Sequence, residues 1–220
     1  MDDTIAQRVA DILLSIKGVS FRFDPPFTFT SGIKSPIYLD NRLIMSYPDE
    51  REEVIGYYID VIKNKIGNDT VDAISATATA AIPQGAWISE KLKLPMVYCR
   101  SSKKEHGKEN QIEGVVTKGR RVVIIEDHIS TAGNSVENAL AVRALGGIVE
   151  YVITTSTYET AKSKEMFEKN QLTLLYLTIG KTIVKRALDT GVITPIQEQA
   201  VQDWFADPVG WGDRFLSKQN

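Results

Sequence analysis

The chain has 220 residues, long for one domain and short for two, so one domain with appendages is expected. Hydrophobic residues make up 43%, enough for a full core, and 26 basic against 28 acidic side chains leave a net charge of −2. That balance gives no general attraction to nucleic acid or to an anionic membrane. The single cysteine, Cys99, excludes an intrachain disulfide and any multi-cysteine metal site. No apolar run reaches bilayer length, and the acidic, amphipathic start MDDTIAQRVADILLSI does not have the pattern of a signal peptide. A soluble, cytoplasmic globular protein is expected.

Along the chain, Ile5, Val9, Ile12, Leu13 and Ile16 recur at helical spacing, which predicts a helix over 3–17 ended by Gly18. VSFRF and the stretch FTFTSGIKSPIYLD alternate or carry aromatics and read as short strands with turns. Residues 46–65 predict a second helix, with Ser46 as candidate N-cap, Pro48 in the first turn and an apolar stripe of Val54, Ile55, Tyr58 and Ile62. From residue 71 strands and helices alternate. VDAISA is a strand, TATAAIPQGAWISEKL a small-residue turn leading into a helix, LPMVYC a strand and RSSKKEHGKENQIEG a polar loop. RRVVIIE is a third strand, NSVENALAVRALGG a helix closed by glycine, IVEYVITTSTY a fourth strand, and TPIQEQAVQDWFADP a last helix. Alternation of this kind predicts a parallel sheet with helices on both faces.

The informative stretch is VVIIEDHISTAGNS, residues 122–135. A β-branched apolar run ends at two carboxylates, Glu126 and Asp127, and a hydroxyl-rich loop then leads into a helix. In open α/β sheets ligands sit at the carboxyl ends of the strands, and a helix N-terminus attracts anions through its free N–H groups and dipole. Ser130, Thr131 and Ser135 add hydroxyl donors, whereas carboxylates accept hydrogen bonds from sugar hydroxyls. A ribose 5-phosphate satisfies both halves. Solvated strand-end charges followed by an ordinary N-cap turn are the plainer alternative, less suited to acids, loop and helix start that are contiguous.

EDHISTAGNS resembles the phosphoribosyl-diphosphate motif of the type I phosphoribosyltransferases. PFTFTSGIKSPIYLDNR resembles the substrate hood of the orotate phosphoribosyltransferase family, RSSKKEHGKENQIEG its mobile catalytic loop, and SATATAAIPQGAW its diphosphate-side loop. TYE at 157–159 matches one branch of that family, and the likeness runs from about residue 5 to about residue 210.

The resemblance implies an α/β fold of the type I phosphoribosyltransferase kind, a central parallel sheet flanked by helices with a small N-terminal hood. It implies one domain over 1–220: the hood at about 18–45 with the N-terminal helix, the core at about 46–190, and a C-terminal helix and tail at 191–220. It implies transfer of the phosphoribosyl group from phosphoribosyl diphosphate to orotate, giving orotidine 5′-monophosphate and diphosphate, a pentosyl transfer in pyrimidine synthesis. Carried over residue by residue, Lys104 and His106 are catalytic. Arg100, Lys104, His106, Glu126, Asp127, His128, Ile129, Ser130, Thr131, Ala132, Gly133 and Asn134 bind phosphoribosyl diphosphate, and Ser130, Lys34 and Tyr38 contact orotate. Mg2+ is implied, held mainly by the substrate's diphosphate and ribose oxygens, with no protein metal cluster. A homodimer with the loop acting in trans is implied too.

The chain departs from the commoner pattern at Ser101, where many relatives have Lys, and Lys103 is a candidate substitute. Thr30 stands where some relatives have Lys, and Tyr158 stands near the position of an Arg. Ala132 replaces a frequent Gly, at little cost unless that backbone needs a positive φ. A purine-using enzyme of the same superfamily and a non-catalytic phosphoribosyl-diphosphate-sensing regulator are the rival readings. The hood and loop stretches argue against the first, and the net charge of −2 with no added DNA-binding module argues against the second. GKT at 180–182 is not a phosphate-binding Walker loop, because Leu175 occupies the place of its first glycine. Cys99 and the three tryptophans, Trp87, Trp204 and Trp211, read as packing residues.

Overall fold

The computed structural model describes residues 3–29, 31–100 and 111–217. The N-terminal helix α1 spans Asp3–Ser15 and buries Val9, Ile12 and Leu13. Four short strands follow: β1 Val19–Phe21, β2 Phe27–Thr28, β3 Lys34–Ser35 and β4 Ile37–Leu39. They form two antiparallel pairs, β1 with β4 and β2 with β3. A 3-10 turn, Asn41–Ser46, leads into α2, Pro48–Val61.

The stripe anticipated on α2 is fully buried, but the helix begins later than expected. Ser46 closes the preceding 3-10 turn, Tyr47 occupies the N-cap, and the last turns, Ile62–Gly67, widen to π geometry. The ring of Pro48 presets φ for a first turn whose N–H groups need no partner in the helix.

The core is a six-stranded sheet in the order β10-β9-β8-β5-β6-β7. Its strands are β5 Ala73–Thr77, β6 Met96–Cys99, β7 Ile112–Glu113, β8 Val122–Ile129, β9 Tyr151–Thr157 and β10 Thr173–Ile179. All pair in parallel except β7, which closes the edge antiparallel to β6. The crossovers are α3 Ile82–Leu92, α4 Gly133–Ala144 and α5 Ala161–Lys169. Three helices end the chain: α6 Gly180–Asp189, α7 Pro195–Ala206 and α8 Trp211–Ser217. The parallel α/β architecture predicted from the alternation is the architecture observed. Two apolar clusters fill the faces of the sheet, one joining it to α1, α2, α3, α6 and α7, the other to α4 and α5.

Sequence reasoning passed over α5, β10 and α6. β10 runs from Ile179 into α6 at Gly180 with no intervening loop. TLLYLTIGKTIVKRAL therefore carries two periods in one stretch, and the single Gly180 is all that marks where period 2 gives way to period 3.6.

From β5 the chain builds outward through α3 to β6, then returns to the other side of β5 with β8 and continues to β9 and β10. The strand order therefore reverses between β5 and β8, and in open α/β sheets the carboxyl ends at such a reversal form the ligand crevice.

Candidate active site

That crevice holds a cleft of about 300 Å³, lined by residues 78–80 beyond β5 and by residues 126–135 at the end of β8. Every residue from Glu126 to Asn134 assigned from the motif lines it. Ile129 and Ala132 are buried and Ser130, Thr131, Gly133 and Asn134 exposed. The expected end of the strand is corrected. β8 does not stop at the acids but continues to Ile129, because His128 and Ile129 still pair with Ser156 and Thr157 of β9.

The acids are held from distant elements. Tyr58 of α2 donates its hydroxyl to the Glu126 carbonyl at 2.9 Å and bonds Thr155 Oγ1 at 2.8 Å. Asn41, in the 3-10 turn after β4, donates from Nδ2 to the Asp127 carbonyl at 2.6 Å and to Ser156 Oγ at 2.9 Å. Ser156 Oγ also meets His128 Nδ1 at 2.9 Å. Which of the two donates depends on the imidazole tautomer, because the Ser156 hydroxyl can accept from both Asn41 and His128. Below Glu126, Ser75 donates to Asn138 Oδ1 at 2.7 Å, and Asn138 Nδ2 donates to Thr77 Oγ1 at 3.1 Å, all buried. Thr77 in turn hydrogen-bonds Glu126.

The electrostatics follow from this burial. Glu126 is 6% exposed, and burial, reinforced by the neighbouring charge of Asp127, raises its carboxyl well above the usual range. Burial also raises Asp127, against hydrogen bonds from Glu126 and the backbone and the charge of Arg42. Two adjacent carboxylates in a poorly hydrated site resist joint ionisation until donors are supplied. Burial pushes His128 down to about 4, so its imidazole is neutral at neutral pH. Its ring meets Tyr158 edge-on at 4.4 Å. The aromatic line continues through Trp204, 5.2 Å from Tyr158, to Phe29 of the hood, 6.1 Å from Trp204.

The loop after β8 has the geometry of an anion cradle. Ala132, the N-cap of α4, is left-handed at φ 67° and makes no side-chain cap hydrogen bond. The first-turn N–H groups of α4 thus have no side-chain acceptor and face the exposed loop. Thr160, the N-cap of α5, donates to the Ser130 carbonyl at 2.6 Å and fixes the loop's outer side. One expected donor is corrected. Ser135 is buried and its hydroxyl is engaged by the Ala132 carbonyl at 3.2 Å, leaving Ser130 and Thr131 as the exposed hydroxyls.

Other assigned residues lie elsewhere. Arg100 follows β6, its N–H bonded to the Gln111 carbonyl at 2.9 Å and its guanidinium paired with Glu113 at 3.2 Å. This pairing ties Arg100 to Gln111 and Glu113 beyond the carboxyl end of β6. Lys104 and His106, with Thr30, Ser101, Lys103 and Gly107, lie outside the described residues. Lys34 of β3 donates its ammonium to Thr28 Oγ1 at 2.8 Å. Tyr38 of β4 is 37% exposed, its ring 5.7 Å from Phe27 and 6.4 Å from Phe29. Sequence reasoning missed Asn41, Arg42, Asn138 and the hydroxyl of Tyr58. Tyr58 falls in the apolar stripe of α2, and nothing along the chain marks its hydroxyl as a partner of β8. Among the described residues no three His, Cys, Asp or Glu side chains group to hold a metal ion.

An open parallel sheet with a buried and a half-buried acid and an anion loop at its switch point, under a small antiparallel hood, is a type I phosphoribosyltransferase. No family model matches the chain. It is 42% identical over 209 residues to an orotate phosphoribosyltransferase of Listeria monocytogenes, covering 95% of this chain and 99% of the relative. It is 44% identical over 208 residues to one of Enterococcus faecalis, covering 94% and 98%. Among solved structures, orotate phosphoribosyltransferase from Aeropyrum pernix superposes with a TM-score of 0.72 at 22% identity, covering 84% of this chain and 99% of that one. The chain belongs to the orotate phosphoribosyltransferase family.

Proposed function

We propose that this protein transfers the 5-phosphoribosyl group of phosphoribosyl diphosphate to orotate, releasing diphosphate and forming orotidine 5′-monophosphate. The observation that carries this is the contiguity of the acid pair Glu126–Asp127 with the loop Ser130–Asn134 at one strand end, within a chain so similar to named orotate phosphoribosyltransferases. The 5-phosphate sits on the α4 N-terminus, receiving the N–H groups of the loop and the hydroxyls of Ser130 and Thr131. The ribose 2′- and 3′-hydroxyls donate to Asp127 and Glu126. Those donors add to the hydrogen bonds the acids already accept and favour their ionised forms.

No covalent nucleophile on the protein is required. The transition state places positive charge on the ribose and negative charge on the departing diphosphate, so stabilisation of the leaving group is the protein's main contribution. Lys104 and His106, with Arg100, supply it. Arg offers a planar fork to phosphate oxygens, Lys a mobile charge and His a proton near neutral pH. The segment bearing Lys104 and His106 acts in trans in a homodimer. Ser130, Tyr38 and Lys34 face the base. Magnesium suits the site because the donors present, the Glu126 and Asp127 carboxylates and the substrate's own oxygens, are hard oxygens; when bound it neutralises diphosphate charge. No helix among the described residues is long and apolar enough to cross a membrane, and a cytoplasmic location is part of this reading.

The test is loss of orotate absorbance with phosphoribosyl diphosphate and magnesium, run beside adenine, hypoxanthine, guanine and xanthine. Turnover of orotate alone is expected. Turnover of a purine but not orotate overturns the choice of base, and binding of phosphoribosyl diphosphate with no diphosphate release from any base makes the protein a sensor.

A further inference from the structure

Orotate differs from uracil by one carboxylate, on the ring carbon next to the nitrogen that bonds to the ribose. The group that reads this carboxylate must therefore lie between the ribose acids and the hood. Three cations of the hood region are described. Arg22 is stacked over the Phe27 ring at 4.3 Å. Lys34 is held by Thr28, and its stem lies against Gly212, where even a Cβ would approach it to 2.9 Å. The third, Arg42, follows Asn41, the residue bonded to the Asp127 carbonyl. Its Nη2 meets the Tyr38 hydroxyl at 3.3 Å, and its charge acts on Asp127. Asp40 accepts from Nε at 2.6 Å and from Nη2 at 2.9 Å, which fixes the guanidinium plane. Nη1 has no hydrogen-bond partner among the described residues, and the side chain is 52% exposed.

We infer that Arg42, oriented by Asp40 and placed beside Tyr38, receives the carboxylate of the pyrimidine and so sets the preference for orotate over uracil. With Nε and Nη2 engaged by Asp40 and Tyr38, the guanidinium still offers Nη1 in a preset orientation, at small entropic cost for the new bonds. Lys34, its ammonium already turned to Thr28, adds to the local positive field without touching the carboxylate. The inference rests on orotate being the accepted base.

The test compares the wild-type protein with Arg42→Ala, Arg42→Lys, Lys34→Gln and the double variant Asp40→Asn/Arg42→Gln. It measures KM for orotate and for phosphoribosyl diphosphate, and inhibition by uracil. Arg42→Ala is expected to raise the orotate KM roughly tenfold to hundredfold, the range for one charged hydrogen-bonding partner. The phosphoribosyl diphosphate KM should stay within about twofold and uracil inhibition should not change, because neither ligand presents that carboxylate. Arg42→Lys should recover part of the loss. The double variant should stay as weak as Arg42→Ala, since it removes the Asp40 charge that the single variant exposes. An unchanged orotate KM in Arg42→Ala overturns the inference. So does recovery in the double variant, an equal loss for uracil, or a loss confined to Lys34→Gln. Absence of orotate turnover in the wild-type protein would instead overturn the proposed function, and this inference with it.

Discussion

Asn41 and Asp127 are 86 residues apart in the chain, yet the amide of one donates to the carbonyl of the other at 2.6 Å. Through this bond the strand carrying Tyr38 and the strand carrying Glu126 and Asp127 share one joint. The second Asn41 bond, to Ser156, extends the joint to β9. Tyr38, proposed to face the base, and Asp127, proposed to accept from the ribose, are therefore set relative to each other without any ligand, which is the entropy-saving arrangement catalysis favours.

Asn41→Leu removes two buried donors and leaves the Asp127 carbonyl without its partner. A stability loss of about 1–3 kcal/mol is expected, together with a higher KM for phosphoribosyl diphosphate. Urea unfolding and steady-state kinetics measure the two effects. A variant with wild-type KM would show that the joint serves folding alone.

Glu126→Gln separates stability from function. The folded-state pKa of Glu126 is raised, so its contribution to stability is fully present below the unfolded value of about 4.3 and is lost as pH rises through the folded value. At pH 8 wild type therefore bears the cost of a carboxyl whose charge the fold disfavours, a cost that the glutamine lacks. The variant should melt at a higher temperature than wild type at pH 8, with the gap closing toward pH 4. Activity should fall roughly tenfold to hundredfold, for loss of a charged acceptor to the ribose. Melting scans from pH 4 to 8.5 check the sign. A variant less stable than wild type at every pH would mean that the bond from Thr77 outweighs the cost of burial.

Ala132 holds a left-handed backbone, φ 67°, so the condition under which its replacement of glycine carries a cost is met. Relief of the Cβ contact with the carbonyl is worth about 1–2 kcal/mol. Ala132→Gly should therefore raise the unfolding free energy by about 1 kcal/mol, with near wild-type kinetics. Ala132→Val should be destabilising and should displace the loop. Denaturant titration of the pair decides it; equal stabilities of glycine and alanine would show that this backbone is not under strain.

The trans arrangement of the loop is checked with mixed dimers. One chain carries Lys104→Ala and the other Asp127→Asn. If the loop crosses to the partner, one site receives both defects and the other neither, and about half the wild-type activity returns. If it does not cross, mixing restores nothing, with heterodimer formation confirmed by mass.

What the sequence determined by itself was everything carried by neighbours along the chain. The helical stripe of α2, the alternation of strands and helices, and the sequence of acids, loop and helix start in VVIIEDHISTAGNS are local patterns, and local sterics and periodicity make them readable. The same locality let one apolar stretch hide the passage from β10 to α6. Only the tertiary structure decided how the site is held. Tyr58 reaches Glu126 across 68 residues, Asn138 reaches Thr77 across 61, and Asn41 reaches Ser156 across 115. Whether a buried polar group finds a partner depends on which strands lie side by side, and the reversal of strand order between β5 and β8 that brings these groups together has no signature along the chain. The same holds for the raised carboxyl of Glu126. A glutamate after four apolar residues reads alike whether the strand end is open to water or closed, and only the packing around it sets the cost of its charge.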